Sequence, residues 1–292
     1  MSLSRDELAR DALEEGLRAE HADDLQRALH HYADAAIHGR DIPVVVGRAL
    51  ARQAGVYRRL SQWDLAADHA CRAHEVAEGA DLPELRAEAL VAQGNALMCS
   101  GRFDEAAKVY NRLVRVASDD QQRGIAMQNL GSIHAQRREW ELAAEAFESS
   151  RWLFRSAGYA RGEAIAVNNL GRLAHDQGDT EQAERLLREA LAGAREVADA
   201  ELAALALLNL AQVRVARGVL AEALPMAAEA FGHFSVSENR WRQIECLCVL
   251  ADIAEREGQA EQASTHLRRA REIALEIGAQ VELKAIDARL DQ

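Results

Sequence analysis

The feature that most constrains this chain is a small residue that returns in one register from near its start to near its end. Gly16, Ala54, Gly94, Gly131, Gly171, Ala211 and Ala251 recur at intervals of ~40 residues, within the range of repeat architectures. Twelve residues after each comes an alanine: Ala28, Ala66, Ala106, Ala143, Ala183, Ala223 and Ala263. Seven residues after five of these anchors stands Gly101, Gly178, Gly218 or Gly258, with Arg138 as the exception. Two antiparallel helices cross closely only where a side chain is small, so each anchor predicts a crossing. The glycine that follows tolerates the left-handed conformation in which helices end. An aromatic residue or leucine two positions later (Trp63, Phe103, Trp140, Leu220) is expected to pack over the turn. A unit of this kind cannot bury its apolar face alone, and stacking the units builds one continuous core.

The joints between units carry helix stop and start signals. Asp41-Ile42-Pro43 and Asp81-Leu82-Pro83 occupy equivalent positions in successive units. An aspartate N-cap with proline in the first turn suits a helix start, where the missing N–H costs nothing. Gly79, Gly158 and Gly278 are expected to end second helices, and Pro225 to bend one slightly. Residues 281–290 read as a closing helix whose charges solvate the end of the array. Only three prolines occur, and alanine, leucine, glutamate and arginine, all strong helix formers, dominate. The fold class is therefore all-α, with no linker or composition shift to divide it: one domain, 1–292.

A formal net charge of −12 disfavours nucleic acid as a partner. No apolar run is long enough for a membrane span. Asp6, Glu7, Arg10, Asp11, Glu14 and Glu15 break any signal peptide, so a cytoplasmic location is expected. The four cysteines, Cys71, Cys99, Cys246 and Cys248, have no disulfide-framework spacing.

The windows ALVAQGNALMCSGRFDEAAKVY (89–110) and AVNNLGRLAHDQGDTEQAERLL (166–187) show the pattern at full strength. It resembles the tetratricopeptide repeat across nearly the whole chain. The longer spacing between units, with the Asn-Leu-Gly trio at 129–131 and 169–171, is similar to one subclass of that repeat. The subclass occurs in kinesin light chains, Pins-type polarity adaptors and bacterial peptide-sensing regulators. The resemblance implies a right-handed α-α superhelix of seven helical hairpins plus a C-terminal closing helix. It also implies that the anchor is position eight of its unit, and that positions two, five, six, nine and thirteen line a peptide-binding groove. Those positions hold Arg48, Arg52 and Arg59 in the second unit, and Glu88 and Asn95 in the third. They hold Gln128, Asn129, Ser132 and Gln136 in the fourth, and Asn168, Asn169, Arg172 and Asp176 in the fifth. The sixth unit places Asn209 and Gln212 there, and the seventh Glu245, Asp252 and Arg256.

Asn129, Asn169 and Asn209 share one frame position in three successive units. Asparagine is a mediocre helix former. Its carboxamide both donates and accepts, as a peptide backbone does. The series either grips a peptide in the groove or bridges neighbouring helices, and both readings stand at this point.

Other chemistry is absent from the pattern. The glycines sit at repeat positions and form no phosphate loop, and no nucleophile or metalloprotease motif occurs. In Cys246-Leu247-Cys248 the thiols point about 200° apart on a helix and cannot grip one metal. His69, Cys71 and His74 do not close a ligand set either. The expectation is a binding protein, without catalytic residues, cofactor or metal, that holds an extended acidic segment or a peptide C-terminus. The alternative is a signal-peptide-sensing receptor, or the sensor part of a bacterial regulator. The first repeat is under way by Ala12, so no N-terminal effector region is expected within these residues.

Overall fold

The computed structural model describes residues 4–291; the expected bounds, 1–292, take in four residues outside these. The described residues form fifteen helices and no strand. Their contacts group into two compact units, residues 1–157 and 158–292.

The first unit holds four hairpins. They are α1 (Arg5–His21) with α2 (Leu25–His38), α3 (Pro43–Arg59) with α4 (Trp63–Gly79), α5 (Pro83–Cys99) with α6 (Phe103–Val116), and α7 (Asp120–Gln136) with α8 (Trp140–Ser156). The second unit holds three more: α9 (Ala160–Asp176) with α10 (Thr180–Glu196), α11 (Ala200–Ala216) with α12 (Leu220–Val236), and α13 (Arg240–Arg256) with α14 (Ala260–Ile277). The closing helix, α15 (Gln280–Leu290), packs on α14. Within each unit every helix packs on its sequence neighbours, and first helices also touch the next first helix: α1 with α3, α3 with α5, α5 with α7, then α9 with α11 and α11 with α13. None is long and apolar enough to cross a membrane.

The anchors do what the register predicts. A Cβ added at Gly94 would lie 2.5 Å from the Tyr110 ring, and one added at Gly131 would lie 2.6 Å from the Phe147 ring. Tyr110 and Phe147 stand sixteen residues beyond their anchors and are fully buried. The partner alanines, from Ala28 to Ala263, are buried in all seven hairpins. The turn residue is left-handed in every hairpin, at Asp23, Ser61, Gly101, Arg138, Gly178, Gly218 and Gly258. Arg138 has φ 59°, so the exceptional residue adopts the conformation its glycine counterparts adopt freely. Trp63, Phe103, Trp140 and Leu220 each open a second helix and are half-buried.

The reading of Asp41 and Asp81 as N-caps is corrected. Pro43 and Pro83 do open α3 and α5, but the caps are Ile42 and Leu82, without a side-chain cap bond. Asp81 instead takes the left-handed turn after α4, φ 51°, as Gly158, Ala198, Glu238 and Gly278 do after later second helices. Gly79 is the last residue of α4, and Pro225 lies inside α12.

Candidate functional site

The first helices of the first unit bring Arg48, Arg52 and Arg59 onto α3, where all three are exposed. They are not equivalent. Arg59 forms an ion pair with Asp23, the turn residue of the preceding hairpin. Arg48 and Arg52 pair with no carboxylate among the described residues. Arg48 borders a pocket of about 220 Å³ with Val44, Pro83, Leu85 and Glu88. Gly55 lies on the same helix, one turn after Arg52 on that face. A Cβ there would meet nothing within 4 Å, and its φ is not left-handed. Neither packing nor backbone strain calls for a glycine at this point.

The amides of this unit are partly committed. Asn95 accepts a 2.8 Å hydrogen bond from the Tyr110 hydroxyl. Asn129 donates to the Ile125 carbonyl of its own helix at 2.9 Å. Gln128 is half-buried, and its Oε1 has no hydrogen-bond partner among the described residues.

In the second unit Asn168 and Asn209 are buried, and Asn209 Nδ2 donates to Asn168 Oδ1 at 2.9 Å, joining α9 to α11. Asn209 thus bridges helices, while Asn169 is half-buried and Arg172 exposed. The frame positions nearer the chain's end converge more tightly. Asp176 from α9, Gln212 from α11, and Glu245, Asp252 and Arg256 from α13 line one pocket of about 490 Å³, together with Glu282 from α15. Arg242 holds Glu245 at 2.6 Å, and Arg289 holds Asp252 at 2.6 Å. Arg256 Nη1 donates to the Val215 carbonyl at 2.6 Å. Burial raises the Asp252 carboxyl above its ordinary value, against the pull of Arg289. Glu282 was overlooked because residues 281–290 read as a cap; yet α15 starts one repeat period after α13, in the register of a first helix.

The remaining constellations are structural. The His69 ring packs on Tyr57 at 4.8 Å, with Nδ1 2.9 Å from the Leu65 carbonyl. The Cys71 thiol donates to Glu75 at 3.7 Å. Burial pushes the Cys246 thiol up to about 12 and the Cys248 thiol up to about 11. Among the described residues no three histidine, cysteine or acidic side chains come together as a metal-holding group.

Comparison with known proteins bears on the register. Tetratricopeptide repeat family models match residues 89–124, 121–196 and 163–235, together half of the chain. The chain is 30 % identical to the regulatory protein AfsR of Streptomyces griseus over 197 residues, 66 % of this chain and 20 % of that protein. It thus spans about a fifth of the length of the curated relative it matches. Among solved structures it is similar to apo RapI, with a TM-score of 0.74 at 13 % identity, covering 93 % of this chain and 99 % of that one. A Rap protein complexed with competence and sporulation factor is similar too, with a TM-score of 0.67 at 18 % identity over 96 % of this chain and 78 % of that one. The quorum sensor NprR of B. thuringiensis gives a TM-score of 0.70 at 16 % identity, over 90 % of this chain and 75 % of that one. At such identities the likeness shows the fold. Small anchors, left-handed turns, stacked hairpins and family matches all converge: the chain belongs to the tetratricopeptide-repeat family.

Proposed function

We propose that this chain is a peptide-binding scaffold, and not an enzyme, that holds an extended acidic segment or a peptide C-terminus on the faces of its first helices. The observation that carries the reading is the pair Arg48 and Arg52, exposed and unpaired beside Gly55. Unpaired arginines in a chain of net charge −12 are no by-product of bulk composition. A guanidinium holds a carboxylate through two parallel hydrogen bonds. An open glycine lets a ligand backbone approach the helix, at the cost of helix propensity. In the first unit Asn95, Gln128 and Asn129 offer amides for a peptide backbone; in the second unit, taken by itself, Asn169 and Gln212 offer amides and Arg172 a cation. The buried Asn168–Asn209 pair supports the helices that present them. The negative bulk charge argues against nucleic acid, and we place the protein in a bacterial cytoplasm.

The test is peptide-library binding to the wild type and to the variants Arg52→Ala and Asn169→Ala. Arg52→Ala is expected to weaken acidic ligands by ~1–2 kcal/mol and to flatten their salt dependence. If both variants bind the selected peptides as tightly as the wild type, the face is wrongly assigned.

The similarity to AfsR, over a fifth of its length, favours a second reading, the sensor part of a larger bacterial regulator. RapI and NprR support that reading by fold, and the Rap structure holding competence and sporulation factor by its ligand. A sensor binds a free short peptide as tightly as the same segment inside a protein. A scaffold whose contacts extend beyond the segment binds the intact partner more tightly than the excised segment, and calorimetry on both forms separates the two.

A further inference from the structure

The pocket of the second unit points to a ligand group opposite in charge to the one expected on α3. Its volume of about 490 Å³ falls among ordinary ligand sites, ~300–1,000 Å³. Val215, Ala216, Ile244 and Val249 give it an apolar part to its lining. Of its four carboxylates, Glu245 and Asp252 are already met by Arg242 and Arg289, which are not part of the lining. Asp176, from the last turn of α9, and Glu282, from the first turn of α15, have no cation within ion-pair distance among the described residues. Arg256 is pinned to the wall by its bond to the Val215 carbonyl. His175 also lines the pocket, and its buried Nδ1 lacks a hydrogen-bond partner among the described residues.

We propose that this pocket receives a lysine or arginine side chain of a bound peptide. The aliphatic stem lies along Val215, Ile244 and Val249, and the cationic head pairs with one of the free carboxylates, Asp176 or Glu282. Apolar lining together with unpaired carboxylates matches such a side chain, which carries a methylene stem and a charged tip. Two unanswered carboxylates outweigh the one unpaired lining cation, Arg256, so a cation is favoured over an anion, and a neutral polar group would leave both carboxylates unanswered. The net charge of −12 attracts a cationic segment from a distance. The inference rests on the peptide-binding reading, but on residues that the α3 arginines do not touch.

The probe is a random library of acetylated, amidated octapeptides, selected on the wild-type chain and measured by fluorescence anisotropy. Selected peptides are expected to share a lysine or arginine at one position. The double variant Asp176→Asn/Glu282→Gln, checked for unchanged helicity, should weaken them roughly tenfold. The same peptides with glutamine at that position should bind wild type and variant alike. Selection without a basic preference, or a basic preference that survives the double variant, overturns the pocket assignment and leaves peptide binding standing. If no octapeptide binds, the peptide-binding reading falls and the pocket assignment with it.

Discussion

Gly131 and Gly55 both lie inside first helices, neither has a left-handed φ, and alanine at the two positions should move stability in opposite directions. In a helix interior alanine is favoured over glycine by ~1 kcal/mol. At Gly55 nothing stands within 4 Å of the new methyl, so the full gain of ~1 kcal/mol is expected. At Gly131 the methyl would lie 2.6 Å from Phe147 Cδ1 and 2.7 Å from Cε1. Phe147 is 0 % exposed and cannot swing aside. Overpacking of this kind costs ~1–3 kcal/mol, so the net effect is a loss of up to ~2 kcal/mol. The seventh hairpin places Ala251 and Leu267 at the same two frame positions. Phe147→Leu should therefore rescue Gly131→Ala, with a coupling of ~1 kcal/mol in a double-mutant cycle. The assay is urea unfolding followed by far-ultraviolet circular dichroism. Midpoints are compared directly, because a repeat array need not unfold in one step. A Gly131→Ala chain with a midpoint at or above wild type would refute the crossing argument. A Gly55→Ala chain with a lowered midpoint would show that the open space on α3 has been misread.

Arg138→Gly should be neutral to stabilising by up to ~1 kcal/mol, since it removes a left-handed arginine while loosening the unfolded chain; a clear loss in the same urea melts would contradict this. Glu184 is buried between Arg214 at 2.7 Å and Arg188 at 2.8 Å and also holds Arg217. Glu184→Ala should cost ~3 kcal/mol or more by leaving the buried Arg214 with only Glu222, and Glu184→Leu/Arg214→Met should recover much of the loss in thermal melts. His74 is buried, and burial followed by the Arg112 charge lowers its pKa below the ordinary 6.5, against Glu78. The unfolded chain thus takes up this proton first, so stability present at neutral pH is lost as pH falls from about 6.5 through the lower folded value. His74→Gln should flatten that limb in melts across the same window, and an unchanged limb would assign the loss to other groups.

The number of hairpins, their register and the sites of their turns were legible in the residues alone; that Arg138, where no glycine marks the turn, is left-handed was decided by the structure. In a repeat array each unit meets the same local and nearest-neighbour demands, so one small anchor and one turn position report on every copy. The proline starts of α3 and α5 were legible for the same local reason, whereas Asp81 was misassigned because a turn residue and a cap are one position apart and accept the same residue types. The free and spent polar groups on the first-helix faces were decided only by the tertiary structure. Arg59 finds Asp23 36 residues away, Asn209 finds Asn168 at 41, and Arg289 finds Asp252 at 37. Each partner lies about one unit away, within reach only because stacking brings neighbouring units side by side. A frame position says which face a side chain occupies; the neighbouring unit decides whether its charge is already answered. Asp176 and Glu282 belong to that second kind of fact, since only the packed helices put two unpaired carboxylates on one pocket.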